Sequence, residues 1–190
     1  MMLFVRLAAT TGARRGEILG LVWSDIDFVQ RRVSLVHGIV DGAGGPVRQE
    51  RKTKNANCVD LDDDTMVLLR EHFELCTASA GERGLVVDRL PLFGKPSDMT
   101  QPWAPNWVTK RFAVALDHAG VAHFRLHDLR HFVATQMLAA GVSLPVVSTT
   151  RASPSGEGVI AARSICSVGV TVAAPAEPQK TSTSTSTAVN

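Results

Sequence analysis

At 190 residues and 20.4 kDa, with 45% hydrophobic and 20% charged residues, the chain has the length of about one domain. That composition excludes a wholly disordered, collagen-like or disulfide-scaffold chain. The net charge of +2 is too small to announce a nucleic-acid partner by itself. It is unevenly spread, however: residues 1–60 carry nine Arg/Lys against six Asp/Glu, and residues 61–100 carry four against eight.

Met2–Thr11 reads as a helix ending at Gly12, a residue suited to a left-handed helix terminus. Arg14–Leu21 reads as a second short helix, with Ile18, Leu21 and Val22 on its apolar face and Arg14, Glu17 and Gly20 elsewhere on its surface. Ile26–Val29 and Val33–Val40 are β-branched and alternating, which predicts two strands joined around Gln30-Arg31-Arg32. Asp41–Pro46 has turn chemistry and is expected to be flexible. Cys58–Leu61 returns as a third strand, which leaves Arg51–Asn55 exposed and basic at a hairpin end.

Asp62-Asp63-Asp64 loads the start of a helix running to about Thr77, its acids at the positive end of the dipole. Prolines 91, 96, 102 and 105 punctuate the next stretch, and Pro105 suits the first turn of a helix through Asp117. Leu126–Ala140 is a further helix, stopped by Gly141, and a short one is expected over Leu144–Val147. From Ser148 onward, 15 of 43 residues are Ser or Thr and none is aromatic, so residues 149–190 read as a disordered tail behind a domain at 1–148.

Three constellations can carry chemistry. Thr11-Gly12-Ala13-Arg14-Arg15-Gly16-Glu17 is a tight turn feeding a helix start, with guanidiniums and backbone N–H groups suited to gripping a phosphate. Its ordinary alternative is a solvated Arg–Glu pair. Arg51-Lys52-Thr53-Lys54 places alternate lysines on one side of a hairpin, and its alternative is a solvated tip. His127-Asp128-Leu129-Arg130-His131 puts His127, Arg130 and His131 on one helical face, either as donors to an anion or as satisfied structural groups.

The last motif also reads His-Asp-x-x-His, one methylene short of a zinc-protease pattern. That gives a remote zinc-hydrolase alternative through His127 and His131, without an evident third ligand. Cys58, Cys76 and Cys166 lack CxxC spacing and suit a reducing compartment, so a cytoplasmic protein is expected. No targeting segment or membrane-spanning run is evident.

Read together, TGARRGEILGLVWSDID, RKTKN before a strand, and HDLRHFVATQMLAAGVSLPVVS resemble the catalytic domain of the tyrosine recombinases, the phage integrase family, over roughly residues 3–148. The resemblance implies an α+β, mostly helical domain with a small antiparallel three-stranded edge sheet. It further implies double-stranded DNA, and other recombinase protomers, as partners. Arg14 and Arg130 would neutralise the non-bridging oxygens of a scissile phosphate, Lys52 would protonate the leaving 5′-oxygen and His127 would assist. Glu17 would orient Arg14, His131 would support the site, and Lys54 stands in for Lys52 if the hairpin register shifts by two. No metal or other cofactor is implied.

The sequence departs from the family pattern in two places. The Leu-Gly-His and nucleophilic tyrosine expected after Ser148 are missing, and no tyrosine occurs among the 190 residues. The chain therefore reads as a truncated or frameshifted recombinase, catalytically defective alone. It is alternatively a non-catalytic DNA-binding remnant or the partner of an intact recombinase. The helical DNA-clamping segment that usually precedes this domain is not evident either, which predicts weak, salt-sensitive DNA binding.

Overall fold

A computed structural model describes residues 1–42, 44–50 and 57–141. Lys52, Lys54, the expected helix at 144–147 and the Ser/Thr-rich segment lie outside the described residues. Within them the chain forms five α-helices, two single-turn 3-10 helices and five short strands, of which the α-helices and strands organise the fold. They are α1 (Met2–Thr11), α2 (Arg15–Leu19), β1 (Ile26–Asp27), β2 (Arg32–Leu35), β3 (His37–Gly42), β4 (Gly45–Glu50), β5 (Asn57–Asp60), α3 (Asp63–Gly81), α4 (Pro105–His118) and α5 (Leu126–Ala139).

Local signals account for the helix ends. Gly12 takes the left-handed conformation (φ 60°) that closes α1, and its N–H donates to the carbonyl of Ala8 at 3.2 Å. Asp62 caps α3 by accepting from the Thr65 N–H at 3.0 Å and the Thr65 hydroxyl at 2.6 Å. Pro105 opens α4 at a position where its missing N–H costs nothing. Helix α3 runs four residues beyond the expected Thr77, to Gly81, because Ala78-Ser79-Ala80 carry no stop signal. The chain turns only at Gly84 (φ 65°), with the Leu85 N–H returning to the Ala80 carbonyl at 2.9 Å.

The sheet is antiparallel and three-stranded, in the order β1-β2-β5, as expected. The expected strand Val33–Val40, however, is two strands serving two partners. Leu35 pairs with Asn57 in the sheet, whereas His37 pairs with Glu50 in a separate β3–β4 hairpin, and a kink at Val36, whose N–H donates to the Ser34 carbonyl, divides them. The first strand stops at Asp27, two residues early, because the Asp27 carboxylate accepts from the N–H groups of Val29 and Gln30 at 2.9 and 2.7 Å and so forms a turn.

Asp41–Pro46, expected to be a flexible stretch, is the paired end of the hairpin, with Asp41 opposite Pro46 and Gly42 opposite Gly45. The tip of the β3–β4 hairpin therefore lies there, and Arg51–Asn55, expected at a hairpin end, lie outside the described residues. Those basic residues belong to the β4–β5 connection, whose described ends are held opposite His37 and Leu35.

Helix α1 packs on α5, α3 and α2, and β3 packs on α2 and α4. Phe4, Leu7, Ile18, Leu19, Val33, Leu69, Leu92 and Val108 are fully buried in one core. Phe4 meets Phe93 edge to face at 5.2 Å, and Phe93 meets Trp103 at 5.1 Å. Burying each such ring contributes about 2–3 kcal/mol. A polar tie joins α1 to the start of α3: Arg6 donates to Asp62 at 2.6 Å and to the Thr65 hydroxyl at 3.0 Å. Burial alone would raise the Asp62 carboxyl. The Thr65 hydroxyl, the Arg6 guanidinium and the Thr65 N–H outweigh it and hold the group at about 2.

Candidate functional site

Arg14 is the residue before α2, and Glu17 sits one turn into that helix. The Glu17 carboxylate accepts from the Arg14 backbone N–H at 2.8 Å and from Arg14 Nη1 at 2.9 Å, so one acid caps the helix and holds the guanidinium. The two ends of the pair differ: the Glu17 side chain is only 8% exposed, while that of Arg14 is 61% exposed. Glu17 and Gly20 were expected on the helix surface, and both are buried. The reason is that α2 is covered by β3. A Cβ on Gly16 would lie 2.5 Å from the Ile39 carbonyl oxygen, and one on Gly20 would lie 2.7 Å from that of His37. A glycine-lined helix face thus meets a strand backbone directly.

Helix α5 closes the same corner from the far end of the chain. Arg130 Nη1 donates to the carbonyl of Gly12, a partner 118 residues away. Three residues further along α5, Val133 lies under the turn, with its Cγ1 at 3.4 Å from where a Gly12 Cβ would stand. Arg130 is therefore fixed two residues in sequence from Arg14, and only a residue tolerant of the left-handed conformation can present that carbonyl. Arg15, next to Arg14, reaches away to the Thr109 hydroxyl on α4 at 2.5 Å, so α2 is anchored to α4 as well.

His127 and His131 are exposed on α5 and meet each other edge to face at 4.8 Å. Asp128, between them, is engaged with Arg125, accepting from its N–H at 2.8 Å and its guanidinium at 3.1 Å. The side-chain bond first, and then the backbone bond, lowers the Asp128 carboxyl. Among the described residues no group of three or more His, Cys, Asp or Glu side chains is placed to hold a metal ion. Nor, among the described residues, is any helix long and apolar enough to cross a membrane.

The structure thus pairs Arg14 with Glu17 and anchors Arg130 at the Gly12 carbonyl, two residues before Arg14, with His127 one turn before Arg130 on the same helix. Lys52 and Lys54 lie outside the described residues. Sequence reasoning missed the carbonyl of Gly12 as the partner of Arg130, although the Thr-Gly turn marked that residue as special. It also missed the Arg15–Thr109 tie, which no local pattern signals.

With an Arg-x-x-Glu turn and a His-x-x-Arg helix placed in this fold, a family comparison decides its membership: the model of the phage integrase family covers residues 1–151. The chain belongs to the phage integrase family. Its relatives in that family include the XerC-like tyrosine recombinase of Caldanaerobacter subterraneus subsp. tengcongensis, 32% identical over 157 residues. That match takes in 75% of this chain and 39% of the relative. The integrase of Salmonella phage P22 is 29% identical over 154 residues, 75% of this chain and 33% of that protein. The chain therefore spans well under half the length of these two integrase-family relatives.

Solved structures agree on the fold, a mixed domain of helices and small antiparallel sheets typical of tyrosine recombinase catalytic domains. The Tn1549 transposon integrase in complex with circular intermediate DNA superposes with a TM-score of 0.60 at 18% identity, over 77% of this chain and 49% of that one. The XerA recombinase gives 0.56 at 16% identity, over 78% and 52%.

Proposed function

We propose that this chain supplies the phosphate-binding part of a site-specific DNA recombinase, with the domain ending near residue 148, and that it binds duplex DNA through the corner built by Arg14 and Arg130. One observation supports the reading: Arg130 crosses from α5 to the Gly12 carbonyl, in the turn two residues before Arg14. Arginine is suited to that task because its planar fork stays charged and matches phosphate oxygens.

In this reading Arg14 and Arg130 bind the non-bridging oxygens of one phosphodiester and stabilise the added negative charge of its pentacoordinate transition state. Glu17 orients Arg14. Lys52, or Lys54 in the shifted register, gives its proton to the departing 5′-oxygen, and His127, supported by His131, assists proton transfer. A tyrosine from another protomer would attack the phosphorus, forming a 3′-phosphotyrosyl ester and releasing the 5′-hydroxyl. The bond exchange is close to isoenergetic and needs neither ATP nor metal. The setting proposed is mobile-element DNA in the cytoplasm.

Because the 190 residues include no tyrosine, the chain alone is proposed to bind without cleaving. The test is a duplex-DNA titration at low salt, followed by a search for covalent protein–DNA adducts on nicked duplexes. Expected are weak binding, lost in the Arg14→Ala/Arg130→Ala double variant, and no adduct. A folded protein that binds no duplex DNA at low salt overturns the reading, and an adduct formed by the isolated chain overturns its catalytic half.

A further inference from the structure

Arg48 on β4 lies outside the corner just described, yet its single guanidinium meets three separate elements. Its Nε donates to the Gly20 carbonyl at the end of α2 at 3.3 Å, and its Nη2 lies 2.9 Å from His37 Nδ1 at the start of β3. The same Nη2 is 3.8 Å from the Asp25 carboxylate, which in turn accepts from the Val22 N–H at 3.0 Å. Because arginine only donates, His37 must accept through Nδ1 and carry its proton on Nε2. These contacts cluster at one of the two close crossings of β3 over α2, at Gly20, whose Cβ position would fall 2.7 Å from the His37 carbonyl oxygen.

The geometry points to Arg48 as a positioning residue: it clasps the β3–β4 hairpin to the C-terminal end of α2 and so sets the point from which the chain leaves β4. That point is Glu50, held opposite His37 and two residues before Lys52. The functional meaning rests on the proposed role of Lys52; the clasp itself does not. Without it, the hairpin keeps its own ladder but loses its polar fastening to the helix that carries Glu17 and starts next to Arg14. Lysine cannot replace the fork, since an ammonium on a flexible stem cannot address the carbonyl, the imidazole and the carboxylate in one fixed plane.

The experiment has two arms. In the first, without DNA, amide hydrogen exchange is followed in wild type and Arg48→Ala. Exchange in β3 and β4 is expected to rise about tenfold, the factor for losing charge-assisted hydrogen bonds, with α1 and α3 unchanged. Unchanged exchange in the hairpin overturns the clasp.

In the second arm, lysines are acylated with and without duplex DNA at low salt and read by mass spectrometry. Protection of Lys52 in wild type is expected to fall about tenfold in Arg48→Ala while labelling of Lys95 stays constant. Equal protection in both proteins overturns the positioning role. No protection of Lys52 in wild type overturns only its role as a phosphate ligand, leaving the first arm to judge the clasp.

Should Arg48→Ala raise labelling at Lys95 too, the loss is global and Arg48→Lys takes its place in both arms. Intermediate exchange and intermediate protection then support the proposal, and wild-type values for both overturn it.

Discussion

Two glycine-to-alanine substitutions, chemically identical and both inside helices, are expected to act in opposite directions. At Gly16 the new methyl would lie 2.5 Å from the Ile39 carbonyl oxygen, where ordinary contact begins near 3.4 Å, so α2 and β3 must separate by about 0.9 Å. The obstacle is strand backbone, which cannot swing aside as a flexible side chain would. Forcing such an insertion costs about 1–3 kcal/mol. The gain from replacing a helical glycine returns only about 0.5–1 kcal/mol.

Gly16→Ala is therefore expected to destabilise by roughly 0.5–2 kcal/mol, a fall in Tm of several degrees for a body of this size. At Gly81, the last residue of α3, a Cβ meets nothing within 4 Å, so Gly81→Ala collects the helix gain alone and raises Tm by a degree or more. Thermal melts by circular dichroism compare the two directly. Low-salt DNA titration adds a second reading, since moving α2 moves Arg14 and should weaken binding in the Gly16 variant only. If both substitutions raise Tm by similar amounts, the direct helix-on-strand contact is refuted, and with it the account of why Glu17 is buried.

The remaining predictions concern charge. The Asp62 carboxyl sits at about 2 in the folded protein against 3.8 ordinarily, so its stabilisation is complete above about pH 4 and is lost as pH falls through about 2. Acid denaturation should show a loss of about 1–2 kcal/mol over that window, after discounting for partial exposure, and Asp62→Asn should flatten it; a slope unchanged in the variant contradicts the assignment. Glu17→Ala should cost about 1–2 kcal/mol by urea titration, through the lost cap and the charge-assisted bond to Arg14, and should weaken DNA binding; a neutral result would mean the carboxylate holds nothing. Arg14→Ala should lower the salt dependence of duplex binding by about 0.9 in the log–log slope, one phosphate contact; an unchanged slope would place the guanidinium off the DNA.

What the sequence made legible divides along the range of the forces involved. Helix ends set by a neighbour or two were readable: Gly12, Asp62, Pro105 and Gly141 each act on their own turn. The run Val33–Val40 was misread as one strand because alternation reports burial and not partnership. Val33 and Leu35 face the core in one sheet and Ile39 faces it in another, and the division becomes visible only when Asn57 and Glu50 are known to lie opposite.

Strand β4 was missed because Gly45-Pro46-Val47-Arg48-Gln49-Glu50 has almost no apolar alternation; backbone pairing with β3 and the Arg48 clasp hold it instead. The site divides similarly. Arg14, Glu17, His127 and Arg130 were readable as residue types at helical spacing, whereas the burial of Glu17 and the reach of Arg130 to Gly12 depend on β3 and α5 arriving from elsewhere in the chain.

On the proposed function, the placement of the corner also predicts that binding and cleavage are separable. Both guanidiniums, their acid and their carbonyl anchor come from residues 12–17 and 126–133, and those segments are held by α1, β3 and α4, so the proposed two-arginine corner is built from elements that precede residue 142. Affinity for DNA grows with each phosphate neutralised and is indifferent to whether a nucleophile stands behind the phosphorus. Cleavage depends on an in-line oxygen a bond-forming distance away, which neither guanidinium can supply. A chain with this corner and no tyrosine should therefore compete for DNA, or for protomers on DNA, with its affinity governed by salt and its chemistry governed by whichever partner brings the missing oxygen.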